Sequence, residues 1–470
     1  MSHSPAQDLS AGLPSPSFPS APLFSRPLRV LYDLLGTLVV LGGAVCYLPL
    51  SRAGTADPLF WMIPLYLLCG ILPPLLFVRV PGWRLRLCAH GATMLIIFLL
   101  SATVAVLYHL GHLPMLWHGQ WRDWLWSAGV AILTEALVFW NGMICIYITS
   151  TQLGLRWRVL GALCGLIPVV NLLVLGRMLS VVIREVDTET AVDARNKARA
   201  AEAVCRTRYP LLLVHGVFFR DFRYLDYWGR IPKALKANGA TVYYGNQQSA
   251  ASVDDSGREL AQRIREIVAA TGCGKVNVIA HSKGGLDMRA AIARYGVGNM
   301  VASLTTVNTP HKGCGFADYL LSHIPQSVQK KAAGAYNATL TRLGDKNPDF
   351  MSAVTDLTAA RCAGMQTSLA FPPEADIYCQ SVGSRLDRPT GGRFPLNFCY
   401  PLVRYFDGPN DGLVAESSFA FGSSFTLLTA RGKRGISHGD MIDLNRENIP
   451  GFDVREFYVG LVADLKQRGL

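Results

Sequence analysis

Val276-Asn277-Val278-Ile279-Ala280-His281-Ser282-Lys283-Gly284-Gly285 is the stretch whose reading decides the fold. It reads as a short apolar strand that turns sharply at one serine and enters a new helix. A serine on such a strand-to-helix corner is held with its hydroxyl exposed at the edge of a sheet. The small residues around it let the turn close without a Cβ clash. Ala280 stands where a glycine is usual in this pattern, one methyl larger. A five-residue serine turn is common by chance, so its meaning depends on the partners the rest of the chain supplies.

Upstream, Tyr209 to Gly216 is a continuous apolar run ending in His215-Gly216, as expected of a strand buried on both faces of a parallel sheet. A helix is expected through Tyr227 to Leu235, then a strand at Ala240 to Tyr244. A second helix follows over about 256–270, capped by Asp254, Asp255 or Ser256, with Leu260, Ile264, Ile267 and Val268 on one face. Gly272 to Gly274 stop it before the serine strand. Alternation of strand and helix with short connections predicts a parallel α/β sheet. Active sites in such sheets lie beyond the carboxyl ends of the strands, where Ser282 and the His215-Gly216-Val217 turn both fall.

A serine hydroxyl needs a base for its proton and donors for the oxyanion formed when it attacks a carbonyl. The backbone N–H groups of Val217 and of Lys283, at the head of the new helix, are the candidate donors. The Lys283 side chain is an alternative base, although its place beside the serine should turn it away. After the strand Met300 to Val307, the chain from about 314 to 375 becomes helical, as a lid or as an ordinary excursion. Phe398 to Tyr405, read as a late strand, leads to Asp407-Gly408-Pro409-Asn410-Asp411-Gly412. Ser437-His438 comes later, giving the chain order nucleophile, acid, base. His438 would take the Ser282 proton, and Asp411 would fix the imidazole tautomer and stabilise the imidazolium. Asp407 is the alternative acid. His311 and His323 are alternative bases, both out of order.

Half of the 470 residues are hydrophobic, and mean hydropathy is +0.25, too apolar for a wholly soluble chain. The excess lies before about residue 183. Apolar stretches at about 29–50, 58–79, 87–110, 124–149 and 157–183 each approach the roughly 20 residues a bilayer requires. Tryptophans and arginines border them, and Pro73-Pro74 and Pro168 should kink or break the second and fifth. The boundaries expected are a Ser/Pro-rich tail over 1–27, a transmembrane helical region over 28–183, a helical connector over 184–207 and an α/β domain over 208–470. Arg26, Arg29, Arg79, Arg84, Arg86, Arg156 and Arg158 outweigh Arg52 and Arg122 on the opposite side, which puts the C-terminal domain outside the cell membrane. Arg177, Arg184, Arg195, Lys197 and Arg199 argue the other way. Glu135, at membrane depth, is either a functional group or a carboxyl packed against a polar partner.

The net charge of +12 has no basic stripe interleaved with aromatics, so it reads as charge facing anionic lipid, not nucleic acid. The eleven cysteines form no CxxC pair and do not sit beside histidines at metal spacing, so zinc is not indicated.

Taken together, Tyr209 to Gly216, Tyr227 to Pro232, Lys275 to Gly285, Thr305 to Gly313 and Asn410 to Val414 resemble the bacterial triacylglycerol lipases of the α/β-hydrolase fold, most closely those of Pseudomonas and Burkholderia. The resemblance implies an α/β-hydrolase domain with Ser282, Asp411 and His438 as triad and Val217 and Lys283 as oxyanion donors. The substrate it implies is an acyl ester or lipid. Phospholipase, thioesterase and acyltransferase chemistry use the same triad, and a silent scaffold for the membrane helices is the alternative outside catalysis. No cofactor is required. Those lipases often hold a structural calcium near the catalytic histidine. Asp440 matches one ligand and Asp387 lies near the distance of another, but Leu444 stands where a glutamine would bind. The membrane half has no counterpart in those secreted enzymes.

Overall fold

A computed structural model describes residues 26–45, 47–48, 80–165, 167, 169–217, 227–430 and 434–470. They divide into two compact units, one within Phe18–Arg195 and the other within Asn196–Leu470.

The first unit is helical: α1 (Arg26–Val45), α2 (Gly82–Gly111), α3 (Trp121–Thr149), α4 (Gly154–Cys164) and α5 (Val170–Ala198). Among the described residues, α2 and α3 are long and apolar enough to cross a membrane, judged by length and composition, and Leu34–Val45 is a shorter apolar helix. The stretch at 58–79 and most of the expected tail lie outside the described residues. The expected continuous fifth span is two helices: α4 stops after eleven residues, short of the roughly 20 that a bilayer demands. Pro168, the expected breaker, lies outside the described residues between them. Most of the stretch expected as a helical connector is the end of α5, which runs unbroken to Ala198.

Glycines set the closeness of α2 and α3: a Cβ on Gly91 would stand 2.7 Å from Cys145 Cβ, and one on Gly142 2.7 Å from Leu95 Cγ. Glu135 does find a polar partner in this pair, Oε2 accepting from Ser101 Oγ at 3.0 Å.

The second unit is built on six parallel strands: β1 (Leu211–Val214), β2 (Val242–Tyr244), β3 (Val276–His281), β4 (Val301–Val307), β5 (Tyr378–Ser384) and β6 (Ser424–Leu428). Their order is β2-β1-β3-β4-β5-β6, with β3 near the middle and buried along its length. Side chains of a strand alternate between faces. Leu211 and Leu213 accordingly join one core with Trp228, Ile279 and Tyr458, while Leu212 and Val214 join the other with Leu260, Val278 and Met288. Helices α6 (Ile231–Ala237) and α14 (Val454–Gln467) cover the first face. The second is covered by α7 (Val253–Thr271) and α8 (Lys283–Arg294).

Helix α7 begins three residues earlier than its polar run suggests. Ser252 caps it, its hydroxyl accepting from Asp255 N at 3.0 Å, and Gly272 ends it at φ +64°. The region after β4 is helical as expected: α9 (Gly315–His323), α10 (Gln326–Arg342), α11 (Phe350–Thr355) and α12 (Ala359–Met365). The late strand expected at Phe398 to Tyr405 is instead helix α13 (Leu396–Asp407), with Tyr400 and Val403 buried at helical spacing. The strand before the acid loop is β5.

Candidate active site

Strand β3 delivers Ser282 at φ +56° and ψ −132°, a region L-residues rarely enter. The corner is held by Ser282 N donating to Val307 O at 2.9 Å and by Gly285 N donating to Ser282 O at 3.1 Å. Both glycines after the serine are required by close approach. A Cβ on Gly284 would collide with the His215 carbonyl oxygen, and one on Gly285 with the Thr309 hydroxyl. Gly216 is held to glycine from the other side, since its Cβ would stand 2.8 Å from Ser282 Cβ. The β1 turn and the β3 corner thus meet at one point. Lys283 is the first residue of α8, so its N–H has no acceptor within the helix. Val217, in the facing turn, is buried.

Asp411 is fully buried in the loop after α13, and its carboxylate is saturated with donors. Oδ1 accepts from Leu413 N at 2.9 Å and Val414 N at 2.8 Å. Oδ2 accepts from Asn308 Nδ2 at 2.6 Å and from His438 Nδ1 at 2.6 Å. His438 N also donates to Asp411 O at 2.9 Å, so backbone and side chain together fix the imidazole. A proton on Nδ1 leaves Nε2 with its lone pair, the tautomer a general base needs.

The other expected candidates have different partners. Lys283 Nζ donates to Asp287 Oδ1 at 2.6 Å and Ser256 Oγ at 3.2 Å inside the fold. Burial pushes the Asp287 carboxyl up to about 7 against the pull of Lys283. Asp407 accepts from Gly315 N and Phe316 N, tying down the head of α9. His311 contacts Thr306 and Arg289, and His323 is exposed on α9.

Three residues without a role in the sequence reading complete the site. Asn308, at φ +47°, bridges Asp411 and Ser384 through Nδ2. Tyr227 OH accepts from Gly216 N at 2.9 Å and reaches His281 Nδ1 at 2.7 Å. His281 Nε2 lies 3.2 Å from the His438 carbonyl oxygen. A carbonyl only accepts, so Nε2 carries the proton, Nδ1 is the acceptor and Tyr227 donates to it. Burial first, and then neighbouring His438, hold the His281 pKa well below the ordinary value, which keeps this ring neutral. The histidine directly before the serine, and the tyrosine of the Tyr227-Trp228 run, were the only signals in the sequence.

Asp440 and Asp387, the expected calcium ligands, each have other partners. Asp440 Oδ2 accepts from Ser437 N and Oγ at 2.8 and 2.7 Å, and Oδ1 from Arg434 at 2.9 Å. The Asp387 side chain is 54% exposed, with Arg385 at 3.5 Å. Among the described residues, no group of three or more His, Cys, Asp or Glu side chains is placed to hold a metal.

Comparison with known proteins agrees with this fold. The family of the alpha/beta hydrolase fold matches residues 209–366. The chain is similar to the triacylglycerol lipase of Burkholderia plantarii, at 36% identity over 180 residues, 35% of this chain and 49% of that one. It is similar to that of Pseudarthrobacter phenanthrenivorans at 35% over 177 residues, 35% of this chain and 54% of the relative. The chain thus spans about half the length of these two relatives. With the triacylglycerol lipase of Vibrio cholerae the identity is 30% over 249 residues, 48% of this chain and 78% of the relative. By that last match, which runs through most of its relative, the chain belongs to the α/β-hydrolase family that includes these bacterial triacylglycerol lipases.

Proposed function

We propose that this protein is a membrane-tethered serine hydrolase that cleaves carboxylic esters of acyl lipids. The observation that carries the reading is the 2.6 Å bond between His438 Nδ1 and a donor-saturated Asp411, beside a serine on a strained corner. In this mechanism His438 Nε2 takes the Ser282 proton as Oγ attacks the ester carbonyl. The oxyanion is received by the N–H groups of Val217 and Lys283, a contribution of roughly 3 kcal/mol per donor in comparable sites. Asp411 stabilises the imidazolium. His438 then protonates the leaving alcohol, an acyl-enzyme remains on Ser282, and water activated by His438 releases the acid.

Lipid esters are favoured because the relatives carry the name triacylglycerol lipase and because apolar helices precede the domain in the same chain. Helices α2 and α3 support membrane attachment. We extend this to an integral membrane protein with up to four spans, resting on the apolar lengths of the stretches at about 29–50, 58–79, 87–110 and 124–149.

Fluorophosphonate labelling tests the nucleophile. The full chain should label, and Ser282→Ala should not; labelling that survives the substitution sinks the assignment. A panel of triacylglycerols, phospholipids and acyl thioesters would separate lipase from phospholipase or thioesterase. Thiol labelling of Cys379 and Cys399 in intact cells, compared with lysed cells, tests the side.

A further inference from the structure

The calcium implied by the family resemblance does not fit the residues present. Calcium takes six to eight oxygen ligands with lone pairs free to receive it. Asp440 directs its oxygens at Ser437 N, Ser437 Oγ and the Arg434 guanidinium instead. Leu444 offers no oxygen from its side chain, and Asp387 faces solvent and Arg385.

What lies there is a cation supplied by the chain. Arg434 donates to Asp440 Oδ1 at 2.9 Å and Glu447 Oε2 at 3.0 Å, and also to the carbonyl oxygens of Gly435 and Gly391. One positive charge therefore sits among two carboxylates and two carbonyls, the type of oxygen shell a hard metal ion would gather. Glu447 is held in turn by Arg393 at 2.7 and 2.8 Å. The shell ties the 389–391 turn, the 435–440 loop and Glu447 together. Its central carboxylate, Asp440, holds both the amide and the hydroxyl of Ser437, the residue before His438.

We infer that the Arg434 guanidinium takes the place of a structural metal ion in holding the His438 loop, so that the fold needs no calcium. The inference concerns stability and is read without any ester substrate, so it can fail or stand independently of the proposed activity.

Calorimetric melting of the full chain in detergent micelles tests it. The wild-type hydrolase unit should melt at the same temperature in EDTA and in excess calcium chloride. Arg434→Met should lower that midpoint by on the order of 5–10 °C, because it strands a buried carboxylate. Arg434→Met with Asp440→Asn should lose less than the sum of the two single changes. A wild-type midpoint that falls in EDTA and returns with calcium would overturn the inference, as would additive effects or an Arg434→Met protein that melts like wild type. If Arg434→Met does not fold, the wild-type comparison and the double variant still decide.

Discussion

Replacing Tyr227 with phenylalanine removes one oxygen and orphans two buried groups, the Gly216 N–H and the Nδ1 acceptor of His281. Each unsatisfied buried polar group costs about 1–3 kcal/mol, so the stability loss should be about 2–6 kcal/mol, with the retained ring limiting any cavity. At roughly 2–4 °C per kcal/mol, the melting midpoint of the hydrolase unit should fall by about 4–24 °C. The effect on catalysis follows from position. Gly216 precedes the Val217 amide, and the tyrosine bond is what ties that turn to the corner carrying His281 and Ser282. A complete oxyanion donor is worth about 10²–10³ in kcat, so a loosened one should cost on the order of tenfold to a hundredfold. KM for a small soluble ester such as p-nitrophenyl butyrate should change little, because the hydroxyl is occupied by Gly216 and His281. Calorimetry and steady-state hydrolysis on the same preparation measure both. A Tyr227→Phe protein that keeps wild-type kcat and midpoint would refute the claim that this hydroxyl couples the two turns.

Three further outcomes follow from neighbouring groups. His281 is buried neutral with a folded pKa below its unfolded value near 6.5, so its contribution to stability is complete above that value and is lost as pH falls toward the folded one. In paired denaturation curves, the stability gap between wild type and His281→Asn should therefore shrink by about 1.4 kcal/mol for each pH unit below 6.5. Asp287→Asn leaves the buried Lys283 ammonium without its carboxylate and should cost about 3–5 kcal/mol, most of it recovered in the Lys283→Met, Asp287→Leu double variant. Asn308→Asp sets a second carboxylate at hydrogen-bond distance from Asp411, where two charges repel; kcat/KM at neutral pH should fall at least about tenfold, against wild-type turnover if the Asn308 contact is incidental.

The parts of the site that could be read in the sequence are those attached to strong local patterns. Strand β1 is buried along its length and is spelled by an unbroken apolar run, and β3 is apolar apart from Asn277 and its last residue, His281, so Ser282 and the Gly216–Val217 turn fall where the runs end. Strand β5 could not be read this way, because Tyr378 to Ser384 is rich in small and polar residues and its place, one strand in from the edge, is set by its neighbours β4 and β6. Helix α13 misleads in the opposite sense: Phe398, Tyr400, Val403 and Tyr405 have strand-like side chains, yet only Tyr400 and Val403 are buried, three residues apart. In the N-terminal half, apolar content over 157–183 predicts a span but does not report where a helix stops, and α4 stops at Cys164. The Tyr227–His281–His438 connection joins the end of β3 to two other segments far from it in the chain, and no spacing rule encodes it.

Two aspartates flank His438 in this fold, and their partners divide the work between them. Asp440 faces a guanidinium and is neutralised by it, so its charge is tied up in holding Ser437. Asp411 receives only neutral donors besides His438: the Asn308 amide and the Leu413 and Val414 N–H groups. Among the described residues no arginine or lysine forms an ion pair with it. A proton arriving on His438 therefore meets a carboxylate whose charge is uncompensated at 2.6 Å, where burial strengthens the attraction. With Arg434 on Asp440 and not on Asp411, the proposed base His438 keeps a carboxylate at Nδ1 whose charge no arginine offsets.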